Sequence, residues 1–331
     1  MRALYDLPAP AKLNLFLHVV GKRPDGYHLL QSLFVPISWA DTLHIERRDD
    51  ALLRRHDLSQ ALPEDDLCLR AARLLQQASA TSLGADIHIE KQVPSGAGMG
   101  GGSSDAATVL LALNRLWGLN WPLSRLLPLG LQLGADVPFF LGGRPAWVQG
   151  IGEDLLPLAL PTQRFAVVKP PASLGTKEIF SSPLLQRSNS VAIVAGFPAL
   201  NGADDKREAG VGSGGAEAGL DSSLGGGKSA VQPTVLQQLS SGWGRNDLQA
   251  AAEAASEQVS EALAFLKQRF GNSRMTGSGS AVFARIESAV MDNDDNDDQL
   301  TATGLKGLPS GWVGRSCHSL EVHPLRGWIE D

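Results

Sequence analysis

The chain has 331 residues, 43% of them hydrophobic, enough for one large or two ordinary cores, and it reads as two globular domains. A formal net charge of −6, without basic runs or a basic amphipathic stretch, argues against a nucleic-acid or membrane surface and points to a small-molecule partner. No segment approaches the ~18 uncharged apolar residues of a membrane span, and MRALYDLPAPAKLNLF lacks a charged region followed by an apolar one, so a cytoplasmic protein is expected.

In chain order, LNLFLHVV, LLQSLFVPIS and TLHIERR alternate as strands, and the PDG at residues 24–26 makes a turn between the first two. LCLRAARLLQQAS has the periodicity of an amphipathic helix, and ADIHIEK that of a half-buried strand. A glycine-rich loop follows and leads into the helix SSDAATVLLALNRLW. A second helix near SRLLPLGLQLG, the segment GADVPFF and the strand PAWVQGI complete the first half, and the proline-rich LPLALPTQRF marks a domain boundary. Beyond it come the strand RFAVVKP, one long helix over NDLQAAAEAASEQVSEALAFLKQRF, and SRMTGSGSAVFARI, a second glycine turn entering a strand.

Two stretches, residues 201–230 and 291–304, are of low complexity and cannot bury enough apolar surface to fold alone. Asp292, Asp294 and Asn296 have calcium-loop spacing, but Asp297 stands where the loop needs glycine and Thr303 where it needs glutamate, so a solvated loop is expected. The only cysteines, Cys68 and Cys317, stand in unrelated contexts and read as buried apolar residues.

The chemistry concentrates in PSGAGMGGGSSDAA. Glycines at 96, 98, 100, 101 and 102 permit positive φ and remove Cβ atoms, so successive N–H groups can turn inward around an anion. The helix behind adds its unpaired N–H groups and positive dipole end. Ser103 and Ser104 can cap that helix, or offer a hydroxyl to a phosphate or Mg²⁺. Gly96, Gly98 and Gly101 formally satisfy the dinucleotide pattern, but no Asp or Glu lies between Asp105 and Asp136 to hold a ribose, which disfavours an NAD-dependent oxidoreductase. A Walker loop fails because Gly102 stands where its lysine should be. No lysine occurs between residues 92 and 168, so a cation for the phosphates must come from elsewhere. Lys12, alone in an apolar strand and on the same face as Asn14, is one candidate, the alternative being a lysine snorkelling from a sheet edge. Asp136, flanked by apolar residues, is a second, the alternative being a turn or helix-cap aspartate.

Taken in order, PAPAKLNLFLHV, RPDGYH, PSGAGMGGGSSDAA, LGADVPFF and RMTGSGSAVFA resemble the GHMP kinase superfamily, and within it the branch acting on a cytidine diphosphate-linked polyol. Met99 replaces the usual leucine of the loop. The resemblance implies an α+β, two-domain fold: residues 1–160 similar to the second domain of ribosomal protein S5, and residues 161–331 ferredoxin-like, with inserts near 201–230 and 291–304. It implies ATP with Mg²⁺ as phosphoryl donor, the metal held mainly by the phosphates, and the polyol's 2-hydroxyl as acceptor, in the non-mevalonate route to isoprenoid precursors. Pro94, Gly96, Gly98, Met99, Gly100, Gly101, Gly102, Ser103 and Ser104 would hold ATP. Asp136 would take the hydroxyl proton, while Lys12 would orient it and stabilise the moving phosphoryl group. Asn14, Tyr27, His28, Thr176 and Phe180 would bind the cytidylyl substrate, Tyr27 and Phe180 sandwiching the cytosine. A monomer or homodimer without nucleic-acid or membrane partners is expected. Kinases of the mevalonate or homoserine type, and a silent binding module of the same fold, remain as alternatives.

Overall fold

The computed structural model describes residues 1–188, 244–286 and 305–331; both low-complexity stretches and the calcium-loop spacing lie outside the described residues. Two long antiparallel strands, β1 (Ala3–Lys22) and β2 (His28–Arg48), form the spine of the first sheet. Three shorter strands were expected here. The segments at 29–38 and 42–48 merge through residues 39–41, where Asp41 is wholly buried and accepts the N–H groups of Gln92 and Val93 at 2.6 and 2.7 Å. A satisfied buried carboxylate lets the strand run through.

The far edge of β2 carries β4 (Gly84–Glu90) and β5 (Ala146–Gln149); β3 (Leu53–Asp57) pairs parallel to β4, and β6 (Asp154–Pro157) antiparallel to β5. One face of this sheet is covered by α1 (Leu67–Ser79), α2 (Gly101–Leu116), α3 (Leu123–Leu133) and α4 (Val137–Gly142). Helix α1 keeps the bounds its periodicity predicts, its start fixed by the Asp66 carboxylate accepting from Leu69 N. Nearly every residue of α2 is buried, so the helix behind the glycine loop runs through the core.

The second sheet is antiparallel, in the order β10 (Val313–His318), β7 (Arg164–Lys169), β9 (Val282–Ile286), β8 (Arg274–Met275). A short helix α5 (Thr176–Ser181) precedes the helices on its outer face. There the single helix expected over 246–270 is two, α6 (Gln249–Ala255) and α7 (Glu257–Phe270), because Ser256 is extended at φ −155 and ψ 118. Ser256 N closes the first helix on Ala252 O, and serine suits the start of the next. The inner face of this sheet (Phe165, Val167, Phe283, Cys317) meets Leu13, Phe16, Val35, Ile37 and Trp39 of β1 and β2 in a shared core. Both cysteines are buried and free, and burial raises the Cys317 thiol to about 12. Among the described residues, no helix is long and apolar enough to cross a membrane.

Candidate active site

Two register shifts in the β1 and β2 ladder, between Pro10 and Lys12 and between Asn14 and Leu17, bracket the residues that alternation places on one face. Such bulges re-aim side chains. Lys12 Nζ donates to Asn14 Oδ1 at 2.6 Å and lies 4.1 Å from the centroid of the Phe34 ring. Asn14 is held in turn: its Nδ2 donates to Ser32 Oγ at 3.0 Å and its backbone N–H to Thr276 Oγ1 at 2.9 Å. Burial pushes the Lys12 ammonium below the ordinary lysine range, and Asp136 pulls the other way.

Asp136 immediately precedes α4. Its Oδ2 stands 3.7 Å from Lys12 Nζ, and its side chain is 33% exposed against 4% for the lysine. One member of the pair is therefore fixed in the interior and the other open to a ligand. Asp136 occupies the N-cap position, yet its side chain accepts no hydrogen bond from the helix, so capping is not what the carboxylate does.

The glycine loop wraps a concavity of about 220 Å³ lined by Lys91 and residues 93–102. Gly96, Gly98 and Gly100 have φ of +67, +77 and +72, a conformation that L side chains rarely adopt. Lys12 N donates to Met99 O at 2.9 Å, so the loop is tied directly to the strand that carries the lysine. The capping expected of Ser103 and Ser104 is not observed: α2 begins earlier, with Gly100 as its left-handed N-cap and no side-chain cap. Ser104 instead lies in the first turn, and its Oγ is buried without a partner among the described residues, while Ser103 and Pro94 are half-buried.

The second glycine turn, residues 276–280, docks on this loop backbone to backbone. Ser280 N and Ala281 N donate to Gly96 O and Ala97 O at 3.3 and 3.2 Å. A Cβ on Gly277 would come within 2.3 Å of Gly98 O, and one on Gly279 within 2.3 Å of Gly98 N, so only glycine fits either position. The same turn supplies Thr276 to Asn14.

Sequence reasoning overlooked Lys91, which directly follows β4 and lines the concavity. Its ammonium donates to Asp105 Oδ2 at 2.5 Å and to Asp41 Oδ2. Burial first, and Asp41 next among the raising causes, push the Asp105 carboxyl up to about 8 against the pull of Lys91. A single ammonium thus serves two buried carboxylates at the root of the loop. The signal was its adjacency to the loop. Among the described residues, no group of three or more His, Cys, Asp or Glu side chains is placed to hold a metal ion.

Of the residues assigned to the cytidylyl group, Asn14 sits beside Lys12. Phe180 stacks on His28, centroids 5.1 Å apart and planes at 24°, and Tyr27 is 60% exposed. Thr176 Oγ1 is 2.9 Å from Ser278 Oγ, which joins α5 to the second glycine turn.

Residues 66–144 match the GHMP kinases N terminal domain. The chain is 53% identical over 328 residues to a 4-diphosphocytidyl-2-C-methyl-D-erythritol kinase of Methylibium petroleiphilum, with 99% of each chain covered. It resembles a crystal structure of 4-(cytidine 5'-diphospho)-2C-methyl-D-erythritol kinase at 31% identity and a TM-score of 0.67, covering 94% of this chain and 97% of that one. A homoserine kinase from Cytophaga hutchinsonii, at 15% identity and a TM-score of 0.63 over 98% and 96% of the two chains, shares the fold.

Proposed function

The chain belongs to the 4-diphosphocytidyl-2-C-methyl-D-erythritol kinases of the GHMP superfamily, and we propose that Lys12 and Asp136 carry out its phosphoryl transfer to the substrate's 2-hydroxyl. It is a kinase of the non-mevalonate pathway to isoprenoid precursors. The observation that carries the site assignment is the 3.7 Å apposition of a buried ammonium and an accessible carboxylate, tied through Met99 O to a glycine loop at a helix start.

Kinases of this superfamily use ATP, generally with Mg²⁺. The concavity suits a polyphosphate, being formed by glycines without Cβ atoms at the N-terminus of a 16-residue helix. Gly96 to Gly102 would cradle the phosphates with Pro94 and Met99 shaping the loop, and Ser103 or Ser104 would offer a hydroxyl. Mg²⁺, riding mainly on the phosphates, would neutralise charge there.

Asp136 accepts the proton of the attacking hydroxyl, which its exposure allows it to reach. Lys12 holds the carboxylate in register and places positive charge beside the transferring group, in a setting too dry to screen it. Phosphoryl transfer needs this positioning and compensation more than covalent chemistry. Tyr27, His28, Thr176 and Phe180 bind the cytidylyl end, with base stacking on an aromatic face, and Asn14 aligns Lys12.

We take residues 1–160 and 161–331 as the two domains, supported by the two separate sheets. The purified protein with Mg-ATP should phosphorylate 4-diphosphocytidyl-2-C-methyl-D-erythritol and leave mevalonate and homoserine unmodified. Turnover of either alternative in place of the cytidylyl compound would overturn this reading.

A further inference from the structure

We propose that the C-terminal strap, residues 319–331, is a positioning element for catalysis: it ties β2 beside Lys12 to the end of the helix that Asp136 begins. This rests on the reading of Lys12 and Asp136 as the reacting pair. The strap leaves the second sheet after β10 and crosses to the first. Ile37 bridges Ser319, and Leu320 N donates to Pro36 O at 2.8 Å. Pro36 is the cross-strand partner of Lys12.

Three residues later the strap reaches the far end of α4, the helix that Asp136 begins. His323 N donates to Gly143 O at 2.6 Å, and Arg326 Nε to Gly142 O at 3.2 Å. A guanidinium on the last carbonyls of a helix is the favourable arrangement for both hydrogen bonding and dipole. Arg326 Nη1 also donates to Ile329 O at 2.9 Å, Glu330 O accepts from Leu123 N at 2.8 Å, and Leu325 and Ile329 are buried in the core that holds Phe139 and Phe140. The contact is close. A Cβ added to Gly143, whose φ is +64, would lie 2.8 Å from the His323 Cβ.

Helix α4 has six residues, too few to hold a position by its own hydrogen bonds. Its placement comes from its contacts, and the strap supplies those at the end opposite Asp136. Because the same strap holds Pro36, it links the backbone on both sides of the Lys12 and Asp136 gap. That gap, 3.7 Å, is already beyond hydrogen-bond reach, so a small retreat of α4 weakens the pair further.

The test is Arg326→Ala in the full chain, with kcat, both KM values and a melting curve, in the parent and in an Asp136→Asn background. Misplacing a catalytic group by ~1 Å can cost about 10²-fold, so a partial loss of anchoring should lower kcat roughly 10-fold with both KM values nearly unchanged. Arg326→Lys, which keeps a cation at the carbonyls, should recover much of the loss and covers the case in which the alanine variant does not fold. In the Asp136→Asn background, removing Arg326 should add almost nothing, since residues acting as one unit are non-additive. Parental kcat with a lowered melting temperature, or an additive loss with Asp136→Asn, would make the strap merely structural and overturn the proposal. If Asp136→Asn alone leaves turnover intact, the assignment of the pair has failed, and the strap's catalytic role goes with it.

Discussion

Gly98 and Gly279 meet backbone to backbone across the two glycine turns, so closely that a Cβ on Gly98 would lie 2.7 Å from the Gly279 nitrogen and from Thr276 O. The two motifs, some 180 residues apart, form one unit: the second turn is the floor on which the first glycine loop rests. Gly98→Ala must displace backbone and also adopt φ +77, which costs an L residue roughly 1–2 kcal/mol by itself. We expect its KM for ATP to rise by about tenfold or more, beyond any loss of stability. Gly118→Ala is the control, because φ is +70 there but nothing lies within 4 Å of the added carbon. Equal ATP affinity in the two variants would show that the close approach does not shape the loop.

The cytidylyl end is tested by Tyr27→Ala and Phe180→Ala. Stacking a base on an aromatic ring is worth ~1–3 kcal/mol, so each variant should raise KM for the cytidylyl substrate by about 5- to 150-fold. Binding remote from the reacting hydroxyl leaves kcat and KM for ATP nearly unchanged. A collapse of ATP affinity, or an unaltered KM for the cytidylyl substrate, would move the base elsewhere.

His323 gives the acid side of the stability profile a signature. Its Nδ1 accepts from Leu325 N at 3.0 Å, its Nε2 is buried without a partner among the described residues, and burial lowers it from 6.5 to about 4. The unfolded chain therefore takes up this proton first. Stability falls as pH drops from about 6.5 towards 4, by up to roughly 3 kcal/mol from this one group. His323→Asn keeps an acceptor for Leu325 N but does not titrate, so denaturant melts across that window should show a shallower decline than the parent. Parallel profiles would mean that the ring is not held neutral.

Much of the site was legible because its signals are local. The periodicity over 67–79 gave α1 its bounds, and alternation put Lys12 and Asn14 on the face where they now share a hydrogen bond. What stayed hidden depends on contacts between distant segments. Nothing in TGSGS announces that its glycines exist to meet Gly96 to Gly98. Lys91 reads as the charged end of a strand until Asp41 and Asp105, 50 and 14 residues away, close on it. The serines of the loop look like caps because serine usually is one, but Gly100 reaches the left-handed conformation first and takes that place. The break at Ser256 likewise had no local cue beyond a serine in an alanine-rich run.

The claim that Lys12 and Asp136 act as one catalytic unit is tested most directly by kcat per active site for Asp136→Asn, which keeps the shape of the side chain and removes its charge and basicity. General-base assistance is typically worth ~10²- to 10⁴-fold, so kcat should fall by about that factor while KM for ATP, which we assign to the glycine loop, stays close to the parental value. Lys12→Ala should fall comparably, and the double variant scarcely further. A turnover unchanged in Asp136→Asn, with only a lowered melting temperature, would contradict the account and leave Asp136 a structural residue at the head of α4.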